Sequence, residues 1–404
     1  MPSPEVVTNY NDSDGVDLGK KLISKDYLIS VYPQIADQLI TPELWIWGEN
    51  DSGALGVNDT TIRCTPVTTF AGGSNWKQVS GGQGYTAAIK TDGTLWTWGN
   101  NDNGKLGTNG GGKRSTPVTT FAGGTNWKQV SCGVNHTAAV KTDGTLWVWG
   151  GNNFLPLGTN DSTIRATPVT TFAGGTNWKQ VTANWFHTAA IKTDGTLWTW
   201  GRNYTGELGV NDTTGRATPV TTFAGGTNWK QVASGYGRVS AIKTDGTLWT
   251  WGQGVYGALG INGGTSLTPV TTFAGGTNWK QVSSALVSIS CAAIKTDGTL
   301  WTWGYNNYGQ LGINDSTIRY TPVTTFAGGT NWKQVASTSS YTTAIKTDGT
   351  LWTWGNNGSG ALGINDATNR NTPVTTFAGG TNWKQVAAGY NTVAIKTSDD
   401  LIGI

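Results

Sequence analysis

The chain has 404 residues, of which 59 are glycine and 22 tryptophan, with charged residues at only 13% and a net charge of +3. That charge is too small to point to nucleic acid, no apolar run is long enough to cross a membrane, and glycine lacks the three-residue period of collagen. The many tryptophans separate the chain from disordered sequences, whereas its length alone suggests two or three domains.

The start, MPSPEVVTNYNDSD, lacks the basic and apolar segments of a classical signal peptide, so a cytoplasmic or particle-associated location is expected. Residues 1–43 read as an extension, expected to dock or assemble the protein. Within it Ser24 can cap KDYLISVY, Leu28, Ile29, Tyr32, Ile35 and Leu39 form a short apolar stripe, and Pro33 bends or interrupts it.

From residue 44 onward the tryptophans set the organisation. Leu-Trp-x-Trp-Gly occurs seven times, with its first Trp at 45, 96, 147, 198, 249, 301 and 352, and Asn-Trp-Lys-Gln-Val occurs seven times, with Trp at 76, 127, 178, 229, 279, 332 and 383. Trp185 alone falls outside both motifs. A period near 51 marks a repeat architecture. Each repeat carries four strand-like pieces, TPVTTF, NWKQV, AAIK and LWTW, and the Asp-Gly of KTDGT between two β runs signals a hairpin. In LWTW, Trp96 and Trp98 share one face while Leu95 and Thr97 share the other.

The expected fold is therefore all-β: a seven-bladed β-propeller of four-stranded blades over residues 44–404, one domain rather than several. A linear solenoid is the alternative, but its end repeats should be atypical caps, and these copies stay near-identical to both ends. Residues 372–396 lack a following LWTWG, so the N-terminal copy Leu44–Gly48 is expected to complete the last blade and close the ring. The tail Leu401–Ile404 competes for the same slot.

Antiparallel strands send successive loops to alternate faces. KTDGT and AGGTN, nearly invariant among the copies, share one face. The loop before AAIK and the one after WG share the other, where almost everything differs.

The repeat resembles that of the regulator of chromosome condensation family of seven-bladed propellers. The family core Asp-Gly-x-Leu-Trp-x-Trp-Gly is matched at Asp143–Gly150, its Gly-Gln-Leu-Gly fully at Gly309–Gly312, and its His-Thr at His136-Thr137 and His187-Thr188. Gly104–Gly107 and Leu155–Gly158 drift from the second motif, and Tyr85, Arg238 and Tyr341 replace the His of the third. The resemblance implies the propeller fold. It does not carry over the founding member's nucleotide exchange activity, since no inserted wedge and no basic tail stand out here. Near-identical repeats behind a short leader also resemble bacteriophage and environmental microbial proteins, and one bacterial relative inhibits β-lactamases through a propeller face.

Candidate chemistry is sparse. His136 and His187 occupy equivalent positions in adjacent blades, which suits a metal or acid–base pair or, more simply, local bonding. Cys64, Cys132 and Cys291 sit at three different repeat positions and form neither a disulfide framework nor a zinc spacing. The KTDG aspartates read as turn residues, and Asn100–Gly104 lacks the glutamate a calcium loop needs. Lys77, Lys128 and their equivalents are expected to keep their charge at the rim. No catalytic residue, cofactor or metal is expected.

The variable face carries Tyr85, His136, Phe154, Trp185, Phe186, His187, Arg202, Tyr204, Tyr236, Arg238, Tyr256, Tyr305, Tyr308, Tyr341 and Tyr390. Tyr, Trp and Arg are enriched at binding hot spots, and here they gather where the repeats diverge. The expected function is non-enzymatic recognition or assembly, with a protein or glycan partner on this face and display on a phage virion or filament. A soluble regulator or inhibitor, and a structural ring that stacks through its invariant face, are the alternatives.

Overall fold

A computed structural model describes residues 6–7, 22–24, 42–71, 75–286, 289–397 and 401–403. Seven four-stranded antiparallel sheets repeat along the chain. Blade 1 consists of Trp76–Gly81, Tyr85–Lys90, Leu95–Gly99 and Arg114–Thr119, and blades 2–6 repeat this order. The NWKQV strands of neighbouring blades touch one another all the way round, so they are innermost and line the axis. Apart from short 3-10 turns at Asp102–Gly104 and Val255–Gly257, the described residues contain no helix.

Blade 7 is composite and closes the ring as expected. Trp383–Ala388 and Asn391–Thr397 supply its inner two strands, and Pro42–Gly48 pairs with the second from Pro42↔Thr397 to Gly48↔Asn391. A second N-terminal strand, Arg63–Thr68, joins outside it with Trp45 opposite Thr68. Each TPVT piece is thus the outer strand of the blade before it, rather than the first strand of its own repeat. The phenylalanine that follows, expected to extend that strand, lies beyond its end. Phe70 and its equivalents are 64–68% exposed at the start of the connector to the next blade. The tail does not take the closing slot: Leu401–Gly403 pairs instead with Leu22–Ser24, which pairs with Val6–Val7. The apolar stripe expected at Leu28–Leu39 lies outside the described residues.

The core is a set of inter-blade layers. Leu95 and Ile89 of blade 1 pack against Trp127, Val130 and Trp149 of blade 2, and Leu44 and Ile46 of blade 7 pack against Trp76 and Trp98 of blade 1. In six of the seven blades the inner Trp meets both Trp of the third strand edge-on, at 6.2 Å for Trp76–Trp98, and in blade 5 Trp279 meets Trp301 in the same way. The long loop after each WG is more than surface. Its Leu106 drives into the layer between blades 1 and 2, and the Trp149 indole donates to the Lys105 carbonyl at 2.9 Å. Gly107 follows at φ +69, and a Cβ there would come within 2.8 Å of the Trp149 ring nitrogen, which explains why glycine follows that leucine in every copy.

The KTDG hairpins are turns. Asp92 Oδ1 accepts from both the N–H and the hydroxyl of Thr94, and Gly93 adopts φ +80 where a Cβ would strike the Thr125 carbonyl. The Gly93 carbonyl accepts from Trp127 N–H, which fixes the hairpin of one blade to the connector entering the next and places both on one face.

Candidate functional site

The fifteen residues expected on the variable face separate into two structural sets. Tyr85, His136, His187, Arg238 and Tyr341 are buried, at 2% exposure or less, and do not reach the surface. All five stand at the first position of the second strand, and four of them bond across to the next blade. The Tyr85 hydroxyl meets Thr137 Oγ1 at 2.9 Å, and Thr392 Oγ1 donates to the Tyr341 hydroxyl at 2.9 Å. His136 Nε2 meets Thr188 Oγ1 at 2.8 Å, and Arg238 Nη2 donates to the Ser290 carbonyl at 2.7 Å. In blade 7 Asn391 reaches Thr86 in the same way. These positions vary because several side chains can make the bridge. The expectation that these five side chains are displayed on the variable face is corrected by their burial.

Among the described residues no group of three metal-binding side chains occurs. Burial, then the neighbouring His187, lowers the His136 pKa to about 3. The His187 pKa is also lowered, first by burial and then by Arg202 and Arg238, against the opposing pull of Glu207. Both rings are therefore neutral at pH 7. Thr188 gives its own proton to the Pro156 carbonyl, so in the His136–Thr188 bond Nε2 is the donor.

The second set meets solvent. Phe154 from blade 2, Trp185, Phe186, Arg202 and Tyr204 from blade 3, and Tyr236 from blade 4 form one patch. Ring centroids lie 4.2 Å apart for Phe154–Phe186, 5.2 Å for Trp185–Phe186 and 4.8 Å for Trp185–Tyr236. The Arg202 guanidinium sits at their centre, 4.9 Å from Phe186, 5.6 Å from Tyr204 and 6.0 Å from Tyr236. It is held from beneath by Glu207, at 2.7 Å from Arg202 Nε. Glu207 is fully buried and also accepts from Thr205 N–H at 2.7 Å. Burial pushes the Glu207 pKa up, but His187 and these hydrogen bonds outweigh it and hold the group below its usual range. The Glu207 carboxylate is thus a counter-ion fixed in place. Tyr204 is the most exposed aromatic of the patch, at 66%.

The remaining residues lie apart. Tyr256 and Tyr305 pair at 5.6 Å across blades 4 and 5, and Tyr308 is exposed nearby in sequence. The Tyr390 hydroxyl accepts from Gln83 and borders a cavity of about 310 Å³ with Glu49, Ser340 and Asn356. Burial and then Asp51 raise the Glu49 pKa.

Lys105, not singled out in the sequence, is buried beneath the variable face. Its ammonium donates to the carbonyls of Gln83 and Val134, both at 3.2 Å, and burial lowers its pKa to about 8. The one available signal was positional: Lys105 stands where other copies place Ala54, Pro156 or Gln310.

Comparison with known proteins places this geometry in context. The regulator of chromosome condensation (RCC1) repeat matches residues 43–89, 92–140, 143–191, 194–242, 297–345 and 348–395. The Ultraviolet-B receptor UVR8 of Arabidopsis thaliana is 31% identical over 336 residues, covering 81% of this chain and 76% of that protein. The human E3 ubiquitin-protein ligase HERC2 is 28% identical over 78% of this chain, which spans only 7% of that protein's length. Among solved structures, human WBSCR16 superposes with a TM-score of 0.77 at 21% identity, covering 88% of this chain and 100% of that one. Yeast RCC1 (Prp20), solved bound to Kap60, gives 0.77 at 19% identity, covering 89% and 90%. With six of its repeats matched and the ring of four-stranded blades in place, the chain belongs to the regulator of chromosome condensation (RCC1) repeat family.

Proposed function

We propose that this propeller is a recognition scaffold that holds a protein partner on the aromatic patch of blades 2–4. One observation carries the reading: aromatic side chains of blades 3 and 4 surround Arg202, with Phe154 of blade 2 packed on Phe186, and a buried carboxylate fixes the arginine in place. Pre-organised aromatic and arginine side chains bind with little loss of conformational entropy, which is why they dominate hot spots. Yeast RCC1 (Prp20) was solved bound to Kap60 and has binding properties toward Gsp1p and histones, which supports a protein ligand over a small substrate. A glycan is the second ligand this patch suits, since aromatic rings also stack on sugars. Display on a phage virion or filament, with residues 1–43 as the tether, is the assembly context we infer.

A structural ring that stacks through its invariant face has one observation in its favour, the exposed Phe70 and its equivalents on that side. Against it, each of blades 1–6 offers two lysines and one aspartate there, as with Lys77, Lys90 and Asp92, so two such faces repel. The test is a pull-down and a glycan array with the parent and a Trp185→Ser/Tyr204→Ser variant. Loss of a specific partner with unchanged thermal unfolding supports the patch, and an interaction that survives both substitutions sinks it. Imaging of native particles separates rings on capsids or tails from free rings and from stacked filaments.

A further inference from the structure

On the face opposite the aromatic patch, the inner strands open into the mouth of the axial channel. In blade 1, Trp76 pairs with Lys90 and Gln78 with Ile89, and the register breaks between them. Lys77 is the residue left out of the ladder. A bulge re-aims the side chain it frees, and Lys77 is exposed while Trp76 beside it is buried. The same break leaves Lys179, Lys230, Lys280, Lys333 and Lys384 out of their ladders, and Lys128 follows the same burial pattern. Seven copies of one strand around one axis thus place seven ammonium groups at a single opening.

None of these lysines is in an ion pair among the described residues. Among the described residues the Arg–Asp ion pairs, such as Arg63–Asp59, lie in the long loops. The hairpin aspartates are engaged by their own threonines, as Asp92 is by Thr94. The hairpin lysines stand over tryptophan rings, with Lys90 Nζ 4.9 Å from Trp76 and 4.8 Å from Trp96. The ring of central lysines therefore carries mutual repulsion that one multivalent anion on the axis would relieve at every position at once.

A seat for such an anion exists at the ring's seam. A cavity of about 460 Å³ is lined by Lys77, Lys333, Lys384, Gln334 and Gln385, with Trp76, Pro42 and Ile395 completing its wall. Six of the seven inner-strand glutamines bridge to the next blade, as Gln334 does to Val386. Gln385 does not: its Oε1 is buried without a partner. Three lysines with no acid in the lining suit clustered phosphates. Lysine is a compact point charge that serves phosphate without the planar fork that arginine offers a carboxylate.

We infer that the mouth of the axial channel on the invariant face is a binding site for a compact, multiply phosphorylated anion, seated at the seam between blades 6, 7 and 1. This site is separate from the aromatic patch and does not depend on the function proposed for it.

Isothermal titration of the full chain with inorganic tripolyphosphate at low salt tests the assignment. The expected result is one equivalent per ring, with affinity falling steeply as salt rises because several cations release their counter-ions together. Lys77→Gln/Lys333→Gln/Lys384→Gln should lower affinity at least about tenfold, which corresponds to about 1.4 kcal/mol. Lys113→Gln, far from the channel mouth, should leave it unchanged. Lys77→Arg/Lys333→Arg/Lys384→Arg should largely retain binding, and thermal unfolding of each variant shows that the fold is intact. Additional binding to phosphoinositide vesicles, competed by tripolyphosphate, supports the site and names a lipid headgroup as a source of the same chemistry. No tripolyphosphate binding, equal binding by the triple glutamine variant, or binding of duplex DNA alone would each overturn it.

Discussion

Nε2 of His136 lies 2.8 Å from the hydroxyl oxygen of Thr188 in the next blade, and both side chains are buried. Because Thr188 donates onward to the Pro156 carbonyl, the bond completes a chain from a strand of blade 2, through blade 3, to the long loop between them. Replacing Thr188 with Val keeps the shape and leaves a buried imidazole donor unpaired, at a cost of about 1–3 kcal/mol. His136→Tyr is expected to cost less, because Tyr85 and Tyr341 make the equivalent bridge to a threonine. Urea unfolding of the two variants ranks them; a tyrosine variant as unstable as Thr188→Val would contradict the interchangeable bridge.

The same burial makes the fold acid-sensitive in a defined window. His136 and His187 have folded pKa values below the ordinary 6.5, with His136 at about 3. A depressed pKa means that the unfolded chain binds protons first, so stability is fully present above pH 6.5 and declines as pH falls below it. Each group contributes a slope of about 1.4 kcal/mol per pH unit. Between pH 7 and pH 5, above the range where the lowered carboxyls of Asp92 and Glu207 titrate, the urea midpoint should fall. In His136→Tyr/His187→Tyr that fall should be much smaller, and an unchanged slope would show that the imidazoles are not its source.

The contrast between buried and exposed members of the variable face shows what the sequence could and could not disclose. Internal repetition made the blade count, the hairpins and the closure by Leu44–Gly48 readable, because seven copies of Trp98 and six of Gly93 report shared packing requirements. Variation was ambiguous. It marks Tyr204, which meets solvent, and equally His136, whose site asks only for a group that can reach the next blade. Burial separates the two, and burial at a loop-to-strand boundary depends on how far the following long loop folds over it. The sequence placed the charge of Lys77 and its equivalents at the rim, but which opening they share depends on the ladder break that frees them from the inner strands, and that is a feature of the pairing rather than of the residues.

Glu207→Gln tests whether Arg202 is held or merely nearby. The substitution removes the charge that accepts from Arg202 Nε at 2.7 Å while preserving size. Stability should drop by about 1–3 kcal/mol, since a hydrogen bond to a charged group is lost in a largely buried setting. Arg202 should also lose its fixed place among Phe186, Tyr204 and Tyr236. The readout is the fluorescence component that Trp185→Phe removes, measured in each background: its quenching by iodide should rise in Glu207→Gln relative to the parent, because the patch loosens. Unchanged quenching and unchanged unfolding would mean that the patch is ordered without the ion pair.

Closure of the ring leaves a measurable asymmetry among its glutamines. Gln129 donates to the Val181 carbonyl at 2.9 Å and accepts from Val181 N–H at 3.0 Å, so its amide covers an inner-strand edge that has no ladder partner. The counterpart at the seam is absent: the Val79 carbonyl already accepts from Gln78, and Gln385 finds no bond. Gln129→Ala should therefore cost about 1–3 kcal/mol through two orphaned backbone groups, whereas Gln385→Ala should cost less than about 0.5 kcal/mol. Parallel denaturant unfolding of the two variants decides the point. If they lose equal stability, the seam is bridged like the other six junctions and blades 7 and 1 are joined as firmly as any other pair. If only Gln129→Ala suffers, the composite blade is the weakest junction of the inner ring. Local opening, read by hydrogen exchange, should then begin where Trp383–Ala388 meets Trp76–Gly81.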